Sequence, residues 1–135
     1  MTGTLVDSNV LIDVLSADVA WGEWSSQALA SLGSEGPLVI NSVIYAEISQ
    51  RYSRKELLDH ELPADVFLRE DIPWSAAFLA GKAFFDYRRR GGNRRSPLPD
   101  FFIGAHAAVK GLRLVTRDSS RYRTYFPTVE LIVPG

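Results

Sequence analysis

Short apolar runs alternate with longer stretches of helical periodicity along nearly the whole chain, and this alternation limits the possible folds most strongly. The clearest runs lie at residues 5–6, 38–40 and 112–115. Apolar runs this short are typical of strands that are buried on both faces of a parallel sheet. Strands that alternate with helices therefore predict an α/β fold, a three-layer α/β/α sandwich with a mainly parallel central sheet of four to five strands.

Capping and breaking residues mark the helices between these strands. Ser8 or Asn9 can cap a helix directly after the first strand, and the longest helix runs from Pro73 to a stop at Gly91. Residues 54–70 are predicted to be mainly helical. Further helices are expected at residues 21–32, from residue 42 and from residue 99, and further strands near residues 66–68 and at residues 128–133.

Large aromatic residues recur at helical spacing, with Trp74, Phe78 and Phe85 on one face of the longest helix. Such a stripe is usually part of the hydrophobic core, and an exposed apolar groove for a partner is the alternative. We therefore predict that most of the large aromatic residues are core residues. The set comprises Trp21, Trp24, Trp74, Phe78, Phe84 and Phe85.

Length and composition bound the class of protein. The 135 residues, 46% of them hydrophobic, fit one domain over residues 1–135, and the formal net charge of −1 argues neither for nor against a nucleic-acid partner. The absence of cysteine excludes disulfide scaffolds and thiol catalysis. No basic segment precedes the first apolar residues, and no apolar run approaches the roughly 18 residues of a membrane span, so we expect a cytoplasmic protein without a membrane partner.

Four acidic residues stand at strand ends or beside apolar helix faces. Asp7 follows the first strand directly, and Asp118 follows the strand at residues 112–115. Because the carboxyl ends of parallel strands meet at one edge of a sheet, these two side chains should be neighbours. Glu47 lies beside an apolar helical stripe, and Asp100 lies near a helix start. The four residues together predict an acidic pocket.

Clustered carboxylates would repel one another without a cation, and a bound divalent metal would neutralise this repulsion. With oxygen ligands and neither cysteine nor a suitably placed histidine, the ion should be Mg²⁺ or Mn²⁺. Such an ion can generate a hydroxide-like nucleophile and neutralise charge on a phosphate. Asp13, six positions after Asp7, is expected on a solvated helix face.

Polar residues next to these acids are expected to support them. Ser8, Asn9 and Thr116 fit capping and turn bonding, and they could also orient a carboxylate or a metal-bound water. His106 and His60 are expected to be structural. His106 follows Asp100 by six residues and so faces away from it on a helix, and His60 lies in a charged stretch.

Basic residues gather in two segments near Asp100 and Asp118. Residues 88–95 contain 5 of the 15 basic residues, and the second segment interleaves arginines with Tyr122 and Tyr125. A solvated loop is the alternative, but basic and stacking groups beside an acidic metal centre suit a polyanionic substrate. We expect nucleic-acid contacts from Arg88, Arg89, Arg90, Arg94, Arg95, Arg117 and Arg121.

Four stretches, in this order and spacing, resemble the PIN-domain ribonucleases and most closely the VapC toxins of prokaryotic toxin–antitoxin pairs. They are residues 5–12, 42–47, 99–105 and 114–118. The resemblance spans almost the entire chain. Residues 51–62 match no motif, and the loop at residues 88–95 is longer and more basic than the family pattern, which leaves the choice of substrate open.

The resemblance implies a PIN-like fold and a metal-dependent endoribonuclease that cleaves structured RNA such as tRNA or rRNA. It implies a catalytic quartet of Asp7, Glu47, Asp100 and Asp118, with Asp7, Asp100 and Asp118 nearest the Mg²⁺ or Mn²⁺ ion. It further implies a homodimer. The cognate antitoxin would fill an apolar groove and reach the acidic pocket with a basic side chain.

Two other functions remain open from the sequence. A phosphatase or phosphotransferase could use Asp7 as a covalent nucleophile, although Asn9 stands where a general acid would be expected and no lysine accompanies Asp118. A catalytically inactive RNA-binding or protein-binding module could retain the fold alone.

Overall fold

A five-stranded parallel sheet forms the centre of the computed structural model, which describes residues 2–92 and 98–135. The strand order is β3-β2-β1-β4-β5, and every neighbouring pair is parallel. This confirms the predicted α/β class. The strands are β1 (Thr4–Val6), β2 (Leu38–Ile40), β3 (Phe67–Arg69), β4 (Arg113–Val115) and β5 (Leu131–Ile132).

Seven helices occupy the connections within the described residues, and all but the last correspond to predicted helical stretches. The short final helix lies where the sequence analysis predicted only a connection, because six residues are too few to show an apolar period. The helices are α1 (Ser8–Leu15), α2 (Gly22–Glu35), α3 (Ser42–Ser49), α4 (Lys55–Glu61), α5 (Trp74–Arg89), α6 (Leu98–Lys110) and α7 (Ser120–Tyr125).

Strands β1 and β2 are buried at every position. Successive strand residues point to opposite faces, so complete burial means that the centre of the sheet is covered on both sides. This is the three-layer arrangement that the apolar runs predict. The edge strand β3 is more exposed, which explains why its sequence signal was weaker.

The register of the central strands places two connections side by side. Val6 at the end of β1 pairs with Val115 at the end of β4, so Asp7 and Thr116 leave the sheet at the same edge. The backbone nitrogen of Asp7 donates a hydrogen bond to the Val115 carbonyl oxygen at 3.0 Å. Helices α3 and α6 contact each other above this edge and bring their own residues to it.

The aromatic stripe of α5 is not part of the core, and that prediction was wrong. Trp74 is 91% exposed, and Phe78 and Phe85 are also exposed, whereas Ala76 and Ala80 are completely buried. Ala76 lies two positions after Trp74 and therefore about 200° around the helix. The small alanine side chains allow α5 to pack closely on α6, so the bulky stripe points away from the core.

The other predicted core aromatics differ in their burial. Trp21 is also exposed, whereas Trp24 and Phe84 are partly buried and pack against the core. The expectation for Asp13 was wrong as well, because its side chain is 2% exposed. No helix in the described part of the chain is long and apolar enough to cross a membrane.

Candidate active site

Asp7 lies at the centre of an acidic pocket at the carboxyl edge of the sheet. It ends β1 and caps α1, with its Oδ1 accepting a hydrogen bond from the Ser8 backbone nitrogen at 2.8 Å. Its Oδ2 accepts hydrogen bonds from the hydroxyls of Thr116 and Tyr122, each at 2.9 Å. With 4% of its surface exposed, the carboxylate is held by these donors in one orientation.

Burial and neighbouring charges raise the pKa of Asp7 to about 6. Desolvation is the largest cause, and the charges of Asp100 and Glu47 add to it. The hydrogen bonds from Thr116 and Tyr122 act in the opposite direction because they stabilise the ionised form. Several negative charges thus converge on a poorly solvated position.

Glu47 and Asp100 reach the pocket from α3 and α6. Glu47 Oε1 accepts a hydrogen bond from the Ser8 hydroxyl at 2.8 Å, and Asp100 Oδ2 pairs with Arg121 Nη1 at 2.6 Å. Desolvation is the main cause that raises the pKa of both carboxyls, and the charge of Asp100 raises the pKa of Glu47 further. These mutual effects join Asp7, Glu47 and Asp100 into one electrostatic cluster.

Asp118 lies at the exposed rim of the pocket. Its backbone nitrogen donates a hydrogen bond to Thr116 Oγ1 at 3.1 Å, which holds the residue close to the carboxyl end of β4. Its charge raises the pKa of Asp100. The four acids named by the sequence analysis therefore lie at one edge of the sheet, with three inside and one at the rim.

The supporting polar residues connect the acids to one another. Ser8 joins Asp7 to Glu47 through its backbone nitrogen and its hydroxyl. The side-chain amide of Asn9 donates to Thr116 Oγ1 at 3.3 Å, and its carbonyl oxygen accepts from the Arg117 backbone nitrogen at 3.2 Å. The Thr116 hydroxyl thus accepts hydrogen bonds from Asn9 and Asp118 while it donates one to Asp7.

Tyr122 is a member of the pocket that the sequence analysis missed. It was expected to stack on nucleic acid, but its side chain is buried and its hydroxyl donates to Asp7. Desolvation and the nearby acids raise the pKa of Tyr122 well above its usual value, so the hydroxyl remains a donor. Its position four residues after Asp118 was the available signal, and that spacing is not specific.

The arginines near Asp118 pair with acids of the protein. Arg121 contacts Asp100, and Arg117 binds Asp13 with Nε and Nη2 at 2.6 and 3.0 Å. Asp13 also accepts a hydrogen bond from Ser25 at 2.8 Å. These partners explain how Asp13 can be buried, since a buried carboxylate requires a counter-charge and hydrogen bonds.

The other basic residues lie at the end of α5, where Arg88, Arg89 and Arg90 are exposed. Arg89 and Arg90 form ion pairs with Asp86 at 3.3 and 3.1 Å, on the surface. Exposed pairs of this kind are weak and remain available to an anion. The predicted nucleic-acid contacts Arg94 and Arg95 lie outside the described residues.

His106 has a structural setting away from the acidic pocket. It is buried, and its ring nitrogens lie 2.9 Å from Asn41 Nδ2 and 2.9 Å from Glu70 Oε1. Asn41 in turn caps α3 by accepting a hydrogen bond from the Ile44 backbone nitrogen. The histidine therefore links α6 to the start of α3 and to the residue that follows β3.

The donor set of the pocket suits a hard divalent cation, because it consists of carboxylate and hydroxyl oxygens. The carboxylate oxygens do not, however, converge on one point in this structure. Among residues 2–92 and 98–135, no three acidic or histidine side chains form a ready coordination group. Each of Asp7, Glu47 and Asp100 directs an oxygen toward a donor of the protein.

Comparisons with known proteins agree with this fold. A family model described as "PIN domain" matches residues 4–127. VapBC2 from Rickettsia felis, solved with a promoter DNA fragment, superposes with a TM-score of 0.75 at 17% identity over 98% of this chain and 99% of that chain. FitAcB from Neisseria gonorrhoeae gives a TM-score of 0.72 at 18% identity over 96% of each chain.

A third solved structure, VapC20 from Mycobacterium tuberculosis, is described as a sarcin-ricin loop cleaving toxin. Its TM-score is 0.63 at 18% identity over 94% of this chain and 98% of that chain. No curated protein sequence matches this chain. At these identities the solved structures establish a shared fold.

Proposed function

The chain belongs to the PIN-domain family, and on this premise we propose that it is a metal-dependent endoribonuclease that acts as the toxin of a toxin–antitoxin pair. The observation that carries the proposal is the convergence of Asp7, Glu47 and Asp100, with Asp118 at the rim, on the carboxyl edge of the sheet. Burial is the main cause of the raised carboxyl pKa values, and the charges of neighbouring acids raise them further, which supports a site where these groups repel one another. A cation bound among these carboxylates would relieve their mutual repulsion.

We assign Asp7, Asp100 and Asp118 as the residues that would hold Mg²⁺ or Mn²⁺, with Glu47 as the fourth catalytic acid. When bound, the ion supplies an activated water and neutralises charge on the phosphate that is attacked. Thr116 and Tyr122 hold the Asp7 carboxylate in a fixed orientation. Ser8 fixes Glu47 relative to Asp7 through its two hydrogen bonds.

Structured RNA, such as a tRNA or rRNA, is the proposed substrate. The exposed arginines at the end of α5 support contact with phosphates, since their ion pairs are weak. Arg90 also lies over the ring of Tyr125, 5.5 Å from its centre. The similar VapC20 structure, described as cleaving the sarcin-ricin loop, supports this substrate class.

We further propose that the protein forms a homodimer, binds a cognate antitoxin and works in the cytoplasm. One similar solved structure is described as a toxin-antitoxin complex from Klebsiella pneumoniae, and another as a member of the VapBC family of toxin-antitoxin systems. The exposed aromatic stripe of α5 offers an apolar surface of the kind that partners cover. Its Trp74, Phe78 and Phe85 side chains would otherwise face water.

The environment of Asp7 speaks against a phosphatase that uses this residue as a covalent nucleophile. Its Oδ2 already accepts two hydroxyl hydrogen bonds, its Oδ1 accepts the Ser8 backbone hydrogen bond, and the residue is buried. A nucleophilic oxygen must instead approach the phosphorus atom. The charges of Asp100 and Glu47 beside Asp7 would also repel a phosphate in the absence of a cation, so we favour a role in metal binding.

The proposal is tested by incubating the purified chain with total RNA in Mg²⁺ or Mn²⁺ and in EDTA. Cleavage at discrete positions in the presence of either metal, and its loss in EDTA, is the expected result. A phosphoryl group trapped on Asp7 would replace the proposal with the phosphotransferase. RNA binding without cleavage in Mn²⁺ would replace it with the inactive binding module.

A further inference from the structure

Arg121 directs its side chain into the acidic pocket, where it forms a direct ion pair with an acid of the proposed metal site. Its Nη1 lies 2.6 Å from Asp100 Oδ2, and the two side chains are 24% and 22% exposed. A charge-assisted hydrogen bond of this length between partly buried groups is stronger than a surface ion pair. The pair therefore occupies one oxygen of Asp100.

Two aromatic rings hold the guanidinium in this position. The Cζ atom of Arg121 lies 5.5 Å from the ring centre of Tyr87 and 5.9 Å from that of Phe101. The two rings are themselves 5.5 Å apart and belong to α5 and α6. Because arginine stacks on aromatic faces, the packing favours the inward position over a solvated one.

The next residue strengthens this placement. Tyr122 anchors α7 to the pocket through its hydrogen bond to Asp7. Helix α7 thus presents a cation to Asp100 and a hydroxyl to Asp7 from two consecutive residues. Within residues 2–92 and 98–135, no other ion pair joins a lysine or arginine to Asp7, Glu47, Asp100 or Asp118.

We propose that Arg121 is a built-in counter-ion that competes with a divalent cation for the Asp100 carboxylate. This inference rests on the proposed metal-dependent function. Arg121 already neutralises the Asp100 carboxylate through Oδ2, and a cation bound at the same carboxylate would be repelled by the guanidinium. Metal binding at Asp100 is therefore expected to weaken or open the ion pair with Arg121.

The competition is tested by calorimetric titration of the full chain with MnCl₂, comparing the wild type with Arg121→Gln. We expect the variant to bind Mn²⁺ roughly tenfold more tightly, within the usual range of coupling between two ligands. Arg123→Gln is the matched control. Arg123 lies two residues further along α7, is exposed and contacts Ser119, so its removal should leave the Kd unchanged.

Equal or weaker binding of Mn²⁺ by Arg121→Gln, with wild-type binding intact, would overturn the inference and leave the metal dependence standing. Binding by none of the proteins would overturn both. Circular dichroism checks that each variant is folded. Should Arg121→Gln fail to fold, Arg121→Lys decides, because it keeps the charge but loses the planar fork that suits stacking and carboxylate binding. An intermediate increase in affinity is then expected, and an unchanged Kd would contradict the proposal.

Discussion

The hydroxyl of Tyr122 donates a 2.9 Å hydrogen bond to Asp7 across 115 positions of sequence. This bond connects the end of the first strand to the short helix near the carboxyl end of the chain. It lowers the pKa of Asp7, against the stronger effect of burial. The ionised state of the central acid thus depends partly on a residue that the sequence motifs do not include.

Replacing Tyr122 with phenylalanine should raise the pKa of Asp7 above its value of about 6. The ring can still fill its buried site, but one hydrogen bond that stabilises the carboxylate is lost, at a cost of about 1 kcal/mol in stability. Carbon-detected NMR titration of the carboxyl groups in EDTA measures the shift. Tyr125→Phe, on the same helix, is the control, and an unchanged Asp7 titration in Tyr122→Phe would contradict the expectation.

Asp7→Asn should abolish RNA cleavage and, in EDTA, should stabilise the fold at pH 7.5. Native Asp7 has its pKa raised from 3.8 to about 6, so its favourable contribution to stability is present below pH 3.8 and is lost as the pH rises through 6. The shift corresponds to about 3 kcal/mol, from which the weaker hydrogen bonding of asparagine subtracts. We expect a net gain of about 1 to 2 kcal/mol.

Urea unfolding of both proteins at pH 4 and pH 7.5 measures this difference. The stability of Asp7→Asn relative to the wild type should grow between these values and level off above pH 6. A variant that is less stable than the wild type at pH 7.5 would show that Asp7 is not destabilised by burial.

Asp100→Asn and Asp118→Asn should differ in severity, because Asp100 is half-buried among the acids and Asp118 lies at the exposed rim. We expect the rate of RNA cleavage to fall about a hundredfold or more for Asp100→Asn and roughly tenfold for Asp118→Asn. Initial rates on one RNA substrate in Mg²⁺ measure both effects. The exposed Asp65 provides a control substitution, and full activity in Asp100→Asn would reject the proposed site.

The pair between Asp13 and Arg117 should contribute to stability more than to RNA binding. Arg117 binds the buried Asp13 carboxylate with two nitrogens, so breaking the pair leaves a poorly compensated charge and should cost about 3 kcal/mol. A double-mutant cycle with Asp13→Asn and Arg117→Gln in urea should show strong coupling. If Arg117→Gln instead leaves stability unchanged and weakens RNA binding, the original expectation of an RNA contact is correct.

The central sheet and the positions of the acids could be predicted because both follow from local patterns. Short apolar runs identify buried strands, and parallel strands place their carboxyl ends at one edge, so Asp7 and Asp118 were predicted to be neighbours. The pairing of Val6 with Val115 brings the two connections together. Asp100 and Glu47 carried no such geometric certainty. They were assigned because Glu47 lies beside an apolar helical stripe and Asp100 lies near a helix start, and the resemblance to a family then implied their catalytic role.

The features that could not be predicted depend on contacts between distant segments. Periodicity shows that Trp74 and Phe78 share a face of α5, but Ala76 and Ala80 form a second apolar face, and only packing decides which one is buried. Asp13 looked solvated because its partner Arg117 lies 104 positions away. Helix α7 is too short for its sequence to reveal where its side chains point.

The separation between Asp7 and Tyr122 also affects when the pocket can form during synthesis. A growing polypeptide on the ribosome lacks this partner of Asp7 until residue 122 has been synthesised. Contacts between such remote positions form late in folding because the intervening loop must first be closed. The acidic pocket is therefore complete only after the helix that carries Tyr122 has joined the fold.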